Sequence, residues 1–294
     1  MITGQPTQIL ERKQQTLAEP VEFSGIGLHT GVNVKMRFCP AEPGTGILFE
    51  RTDLSGRPRI PATIEYVCDT TRSTTVGLYD VRIHTVEHVL AALKAYRIDN
   101  LIIEVSSIEP PVGNGSADVF VEMIERGGIT PQDGMCPVFS LTRPVYYSDE
   151  DCHLVALPSR QYSISYTLSY PEPELLKAQF FSSEITSEIF KNEIAPCRTF
   201  SLYSEISTLM DLGLIKGGSL DNAVVIKDNA VLSKNGLFFP DEMVRHKVLD
   251  VIGDLSLVGV DFAAHIVSLR SGHKTNVAFA KKIYDTLTVE RLTC

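Results

Sequence analysis

His246, Asp250 and Asp254 stand at four-residue spacing in one stretch of helical periodicity. Residues at i and i+4 are neighbours one turn apart, so the three side chains share a stripe of one helix. Val244, Val248, Val251, Ile252 and Leu255 mark a second, core-facing stripe, which leaves the polar one free of core duty. A neutral imidazole and a carboxylate one turn apart can hold a divalent cation from the same side, and a cation with an open position activates water for hydrolysis. The same pair on an exposed helix also makes an ordinary solvated ion pair, so the chemistry needs a third ligand. His88, far upstream in Thr85-Val86-Glu87-His88, is the candidate. Thr85 could cap a helix whose apolar face is Val86, Val89, Leu90 and Leu93, which puts His88 in the first turn. Glu87, about 100° around that helix, could face a water without being a ligand. Ala91 and Ala92 leave space over the turn, although helix propensity explains alanines equally well.

These residues need elements to carry them. The turn formers of residues 127–137 separate two periodic regions and predict a linker at 131–137. A polar tail at 1–13, a first domain at 14–130 and a second at 138–294 follow. In the first domain, strand-like runs at 33–38 and 46–50 precede the helix from Thr85, a strand at 100–105 and a helix at 117–126. In the second, strands near 144–147, 153–157 and 162–169 precede helical segments at 183–194 and 204–212, the helix from Asp241 and a strand at 263–269. The order predicts an α+β fold of two similar sheet-plus-helix layers with a site in the cleft between them. Val86-Glu87-His88 and Val244-Arg245-His246 echo one another near the starts of the two key helices, as a duplication would require; a chance match of so short a pattern is the alternative.

With 294 residues, 44% hydrophobic, the chain can bury a core in each half. A formal net charge of -9 argues against nucleic acid or an anionic membrane as the main partner. The polar amino terminus has no stretch suited to a signal sequence or membrane span, which predicts a cytoplasmic protein. Six scattered cysteines, without a Cys-x-x-Cys pair, read as reduced thiols.

Gly25 to Gly31 (Gly-Ile-Gly-Leu-His-Thr-Gly), Thr85 to His88, Ala195 to Phe200 (Ala-Pro-Cys-Arg-Thr-Phe), Arg245 to Asp250 with Gly253-Asp254-Leu255, and Ser271-Gly272-His273 occur in one order along the chain. In that order and spacing the chain resembles the UDP-3-O-acyl-N-acetylglucosamine deacetylases, zinc amidases of bacterial lipid A synthesis, from about Gln14 to the end. The resemblance implies two similar α+β domains, each with an insert, near residues 46–76 and 202–223, the second forming an apolar passage for a fatty acyl chain. It implies one catalytic Zn2+ on His88, His246 and Asp250, with Glu87 as general base. Thr199 would support the oxyanion, and His273, partnered by Asp254, would protonate the leaving amine. Lys247, Phe200, Arg270 and Gly218 would meet the substrate, a UDP-sugar carrying an acyl chain. Transient contact with a membrane surface, without stable insertion, goes with such a substrate. Asn114 stands where the family usually has an aspartate, and a basic residue found in some members near Cys152 is absent. A zinc hydrolase of another acetylated amine and an inactive binding relative are the competing readings.

Overall fold

The computed structural model describes residues 7–289. The helices among them are α1 (Glu87–Ala95), α2 (Asp118–Gly127), the one-turn α3 (Ser187–Ile189), α4 (Tyr203–Asp211), α5 (Glu242–Ser256) and α6 (His273–Val289). A five-stranded sheet in the first half runs Val21–Ile26, Asn33–Pro40, Leu101–Val105, Ile47–Arg51, Arg59–Pro61. Its strands alternate as a one-sided sheet should: Val34, Met36 and Phe38 are buried, and the residues between them are exposed. In the second half Phe262–Leu269 is the central strand of a seven-stranded sheet, antiparallel to Cys152–Pro158 and parallel to Ser163–Leu168. The mixed α+β architecture expected from the order of elements is the one observed.

α1 from the first half packs on α5 from the second. Gly253 lies so close to α1 that a Cβ there would fall 2.0 Å from the Glu87 carbonyl oxygen. α5 is therefore covered on nearly every side, and Met243, Val244, Val248, Val251, Ile252 and Leu255 fill the space around it. The polar stripe is not a free face: His246, Asp250 and Asp254 are 2%, 2% and 0% exposed.

Several expectations are corrected. Residues 131–137 are not a linker but the middle of the strand Ile129–Ser140, which pairs antiparallel with Thr7–Leu17. The second neighbour of Ile129–Ser140 joins only at Phe139 and Ser140, so Pro131 and Pro137 need not donate on that side. A register shift between Lys13 and Gln15 sets Gln14 alone against Gln132, Asp133 and Gly134. Within the tail expected at 1–13, residues 7–13 belong to this strand pair, and 1–6 lie outside the described residues. Arg12 explains why so polar a strand docks: its guanidinium binds Asp99 at 2.7 Å and Asp261 at 2.8 Å, one from each half. Residues 46–76 are only partly an insert, since Ile47–Arg51 and Arg59–Pro61 belong to the main sheet. The helical run expected at 183–194 is the strand Gln179–Glu184, then α3 and one wide turn, Phe190–Ile194.

Candidate active site

The α1–α5 crossing brings three donors together. His88 Nε2 and His246 Nε2 lie 3.7 and 3.4 Å from Asp250 Oδ1, and the two imidazoles meet edge to face at 5.0 Å. One ligand atom from each of the three lies within 4.8 Å of the others. Asp250 Oδ1 is buried yet has no hydrogen-bond partner, while Oδ2 accepts from Lys247 Nζ at 2.8 Å. An orphaned buried carboxylate oxygen is costly unless something positive meets it. Two ligands held about 2.1 Å from a tetrahedral zinc stand roughly 3.4 Å apart, close to the separations seen here. His246 Nδ1 donates to the Cys197 carbonyl at 3.0 Å, since a carbonyl can only accept, and this leaves Nε2 unprotonated toward Asp250. Burial pushes the His246 pKa down to about 3, which keeps the ring neutral as a ligand must be. Burial works against ionisation of Asp250, but the Lys247 ammonium outweighs it and holds the carboxyl well below its usual range. The residues fit a divalent cation, with an imidazole, imidazole, carboxylate set suited to zinc.

Beside this triad sit two proton carriers of opposite kind. Glu87 is 3% exposed, and burial raises its carboxyl pKa. Its Oε2 accepts from the Thr74 backbone N–H at 3.0 Å, and Oε1 lies 3.8 Å from His273 Nε2. His273, the first residue of α6, pairs through Nδ1 with Asp254 Oδ2 at 3.0 Å. Burial opposes its imidazolium, but Asp254 and Glu87 outweigh burial and push the pKa up to about 10. Asp254 is held in turn by the Thr74 hydroxyl at 2.6 Å and by Asn276 Nδ2 at 2.8 Å. A raised carboxyl 3.8 Å from a persistent imidazolium is an arrangement that could serve acid/base chemistry.

Glu87, His88, His246, Asp250 and His273 line a cavity of about 730 Å³ that also has an apolar part, walled by Ile206, Leu209 and Met210 of α4 and by Leu214 and Leu220. Thr199, Phe200, Lys247 and Gly218 line the same cavity. Lys247 Nζ sits 5.5 Å from the centre of the Phe200 ring, and Asp250 keeps it charged against burial. Arg270 does not reach the wall; it is a third exposed and pairs with Asp151 at 3.6 Å. Thr85 does not cap α1: it takes φ 56°, and its buried hydroxyl has no partner. Asn114 serves its own turn, accepting from the Ser116 N–H at 3.2 Å and the Ser116 hydroxyl at 2.6 Å ahead of α2.

Sequence reasoning gave no role to Thr74, Asn276 or Arg198. Asn276 stands three residues after His273, a helical spacing that could have paired it with the same carboxylate. Arg198, 2% exposed, binds Glu242, 0% exposed, through Nε at 2.8 Å. Glu242 also accepts from the Arg198 N–H at 3.0 Å. This pair ties Cys197 and Thr199 to the first turn of α5, one turn before His246.

A family model described as UDP-3-O-acyl N-acetylglycosamine deacetylase matches residues 14–285. A Chlamydia felis (strain Fe/C-56) protein named UDP-3-O-acyl-N-acetylglucosamine deacetylase is 50% identical over 279 residues, 95% of this chain and 99% of that protein. Proteins of the same name from Chlamydia pneumoniae and Chlamydia trachomatis serovar L2 are 50% and 46% identical, covering 95% and 96% of this chain and 99% of theirs.

Proposed function

The chain belongs to the UDP-3-O-acyl N-acetylglycosamine deacetylase family, and from that premise we propose that it hydrolyses the N-acetyl amide of UDP-3-O-acyl-N-acetylglucosamine to the free amine and acetate, a step of lipid A biosynthesis. The observation that carries the reading is the orphaned Asp250 oxygen between the His88 and His246 imidazoles, with Glu87 and His273 beside it. Zinc held by His88, His246 and Asp250 would supply Lewis acidity, bringing the pKa of water toward neutrality and polarising the amide carbonyl.

The chain's own residues do the rest. Glu87 removes a proton from the attacking water, and its raised pKa suits it to hold that proton. The Thr199 hydroxyl donates to the oxygen that gains charge, an interaction of a kind commonly worth about 3 kcal/mol. An amide nitrogen leaves only once protonated; His273 gives it a proton, and Asp254 orients the ring and supports its charge. The apolar part of the cavity takes the acyl chain, with Gly218 and Phe200 along its wall, and Lys247 meets the sugar or diphosphate, with Arg270 adding positive charge outside the wall.

No helix among the described residues is long and apolar enough to cross a membrane. Met210 and Leu220, 65% and 46% exposed, line the apolar part of the cavity, and with Leu212, 67% exposed just after α4, they support transient contact with a membrane surface. A purified protein that needed detergent to stay dissolved would contradict that transience. Free thiols and a nucleotide-sugar substrate fit action in the cytoplasm.

The test is acetate release from UDP-3-O-acyl-N-acetylglucosamine, with metal content measured on the same sample. Turnover lost to a chelator and restored by one equivalent of zinc is the expected result. Glu87→Ala should keep the metal and lose turnover by about 10²–10⁴-fold. No release from a fully zinc-loaded protein would overturn the proposed substrate, and unchanged turnover in Glu87→Ala would remove Glu87 from the base role.

A further inference from the structure

Glu109 is 1% exposed and lies behind the cavity wall, not on it. Its carboxylate accepts from the Thr30 N–H at 2.7 Å, the Thr30 hydroxyl at 2.7 Å and the His29 N–H at 3.1 Å. All three donors belong to the loop 27–31 that follows the strand Val21–Ile26. Gly27 admits the carboxylate, because a Cβ there would fall 2.2 Å from Glu109 Oε1.

The other side of that loop carries part of the second half. Gly217 donates its N–H to the Leu28 carbonyl at 3.0 Å and Lys216 to that of His29 at 3.3 Å. A Cβ on Gly217 would fall 2.2 Å from the Gly27 carbonyl oxygen, so the two backbones touch with nothing between them. Leu28 and His29 from one side, and Ile215, Lys216 and Gly218 from the other, all face the cavity. Residues 215–222 form no helix or strand, so this seam and the buried Asn222, whose Nδ2 donates to the Gly217 carbonyl at 2.9 Å, fix their course.

We propose that Glu109 is a positioning residue for acyl-chain selection: it locks the 27–31 loop, and through the backbone seam with Lys216 and Gly217 it sets the wall against which the acyl chain lies. The inference rests on the deacetylase reading and names the part of the chain that makes that site selective. Glu109 touches no substrate atom and takes no part in proton transfer.

The experiment measures kcat and KM for acetate release from a series of UDP-3-O-acyl-N-acetylglucosamines differing only in acyl length. Wild type is compared with Glu109→Gln and Gly217→Ala, all zinc-loaded. The glutamine has the carboxylate's size but offers one acceptor oxygen and an NH2 group where the His29 and Thr30 backbone N–H groups each need an acceptor. At least one loop N–H then loses its partner. The expected result for Glu109→Gln is a loss of about tenfold in kcat/KM on the preferred chain, carried by KM, with the shortest chain within about twofold of wild type. Gly217→Ala, which opens the seam from the opposite side, should flatten the chain-length profile in the same way and keeps the test open if the buried glutamine impairs folding. An unchanged profile in both variants would overturn the proposal. So would an equal loss on every chain with unaltered selectivity, since a merely structural role predicts that pattern. Wild type that releases no acetate from any member of the series would instead overturn the deacetylase reading.

Discussion

Gly253→Ala is the most direct perturbation of the helix crossing on which the site depends. A Cβ at this position would lie 2.0 Å from the Glu87 carbonyl oxygen, 2.7 Å from the carbonyl carbon and 2.9 Å from Cα. All three are backbone atoms, so no side-chain rotation relieves the overlap, and α1 and α5 must separate by about 1 Å to reach tolerable contact. His88 follows Glu87 on α1, and Asp250 lies one turn before Gly253 on α5. The separation therefore falls across the 3.7 Å gap between His88 Nε2 and Asp250 Oδ1. Metal–ligand distances tolerate only about 0.2 Å, and a 1 Å misplacement of reacting groups costs on the order of 10²-fold in rate. Overpacking itself costs about 1–3 kcal/mol, which still leaves a folded protein. The expected variant melts several degrees lower, yields zinc to a competing chelator at lower concentration, and turns over about 100-fold more slowly. Chelator titration, thermal melting by circular dichroism and acetate release on the same preparation measure all three. A folded Gly253→Ala protein with wild-type zinc retention and turnover would refute the argument that this crossing sets the ligand geometry.

Asp254→Asn removes the charge that does most to raise His273, whose pKa stands at about 10 against the pull of burial. The imidazolium is the form that can protonate the leaving amine, so the basic limb of the kcat–pH profile should move to lower pH; an unmoved limb would separate His273 from the acid role. The sign for stability follows: a raised folded-state pKa stabilises fully below the ordinary histidine value near 6.5, and that contribution is lost as pH rises through about 10. Urea unfolding should therefore show wild type losing more stability than Asp254→Asn between pH 6 and pH 10. Arg198→Ala leaves the Glu242 carboxylate buried and unpaired and should cost about 3–5 kcal/mol, read from the urea midpoint. A smaller loss would mean that water reaches Glu242 in the variant.

The i, i+4 spacing of His246, Asp250 and Asp254 was legible because helix geometry converts spacing into a shared face without help from the rest of the chain. What that face meets was not legible. Burial of α5 on its polar side depends on α1, about 160 residues away, and no periodicity within the segment encodes that neighbour. The helical pattern of residues 85–93 offered His88 and Glu87, the family resemblance added His273, and the structure brings all three to the same crossing. Thr74 stayed hidden for a different reason: it acts through its backbone N–H on Glu87 and its hydroxyl on Asp254, and no spacing within the hydroxyl-rich residues 70–75 singles it out. The strand Ile129–Ser140 read as a linker because its prolines and glycines are tolerated by an incompletely paired edge, a property of its neighbours and not of its own residues.

Glycine carries the sharpest case. Gly27, Gly217 and Gly253 each lie where a backbone or carboxylate oxygen leaves no room for a Cβ, at 2.2, 2.2 and 2.0 Å. Gly44, Gly46 and Gly56 have nothing within 4 Å and serve turns through positive φ. In the sequence the two kinds are the same letter, and a glycine inside a helical run, such as Gly253, reads as a propensity cost of about 1 kcal/mol. The tolerance of that cost in the middle of α5 is the physical trace of the α1 crossing. The same logic at Gly27 and Gly217 marks the seam behind the cavity wall, so the polar triad and the loop that lines the cavity are each set by a contact that only a missing side chain permits.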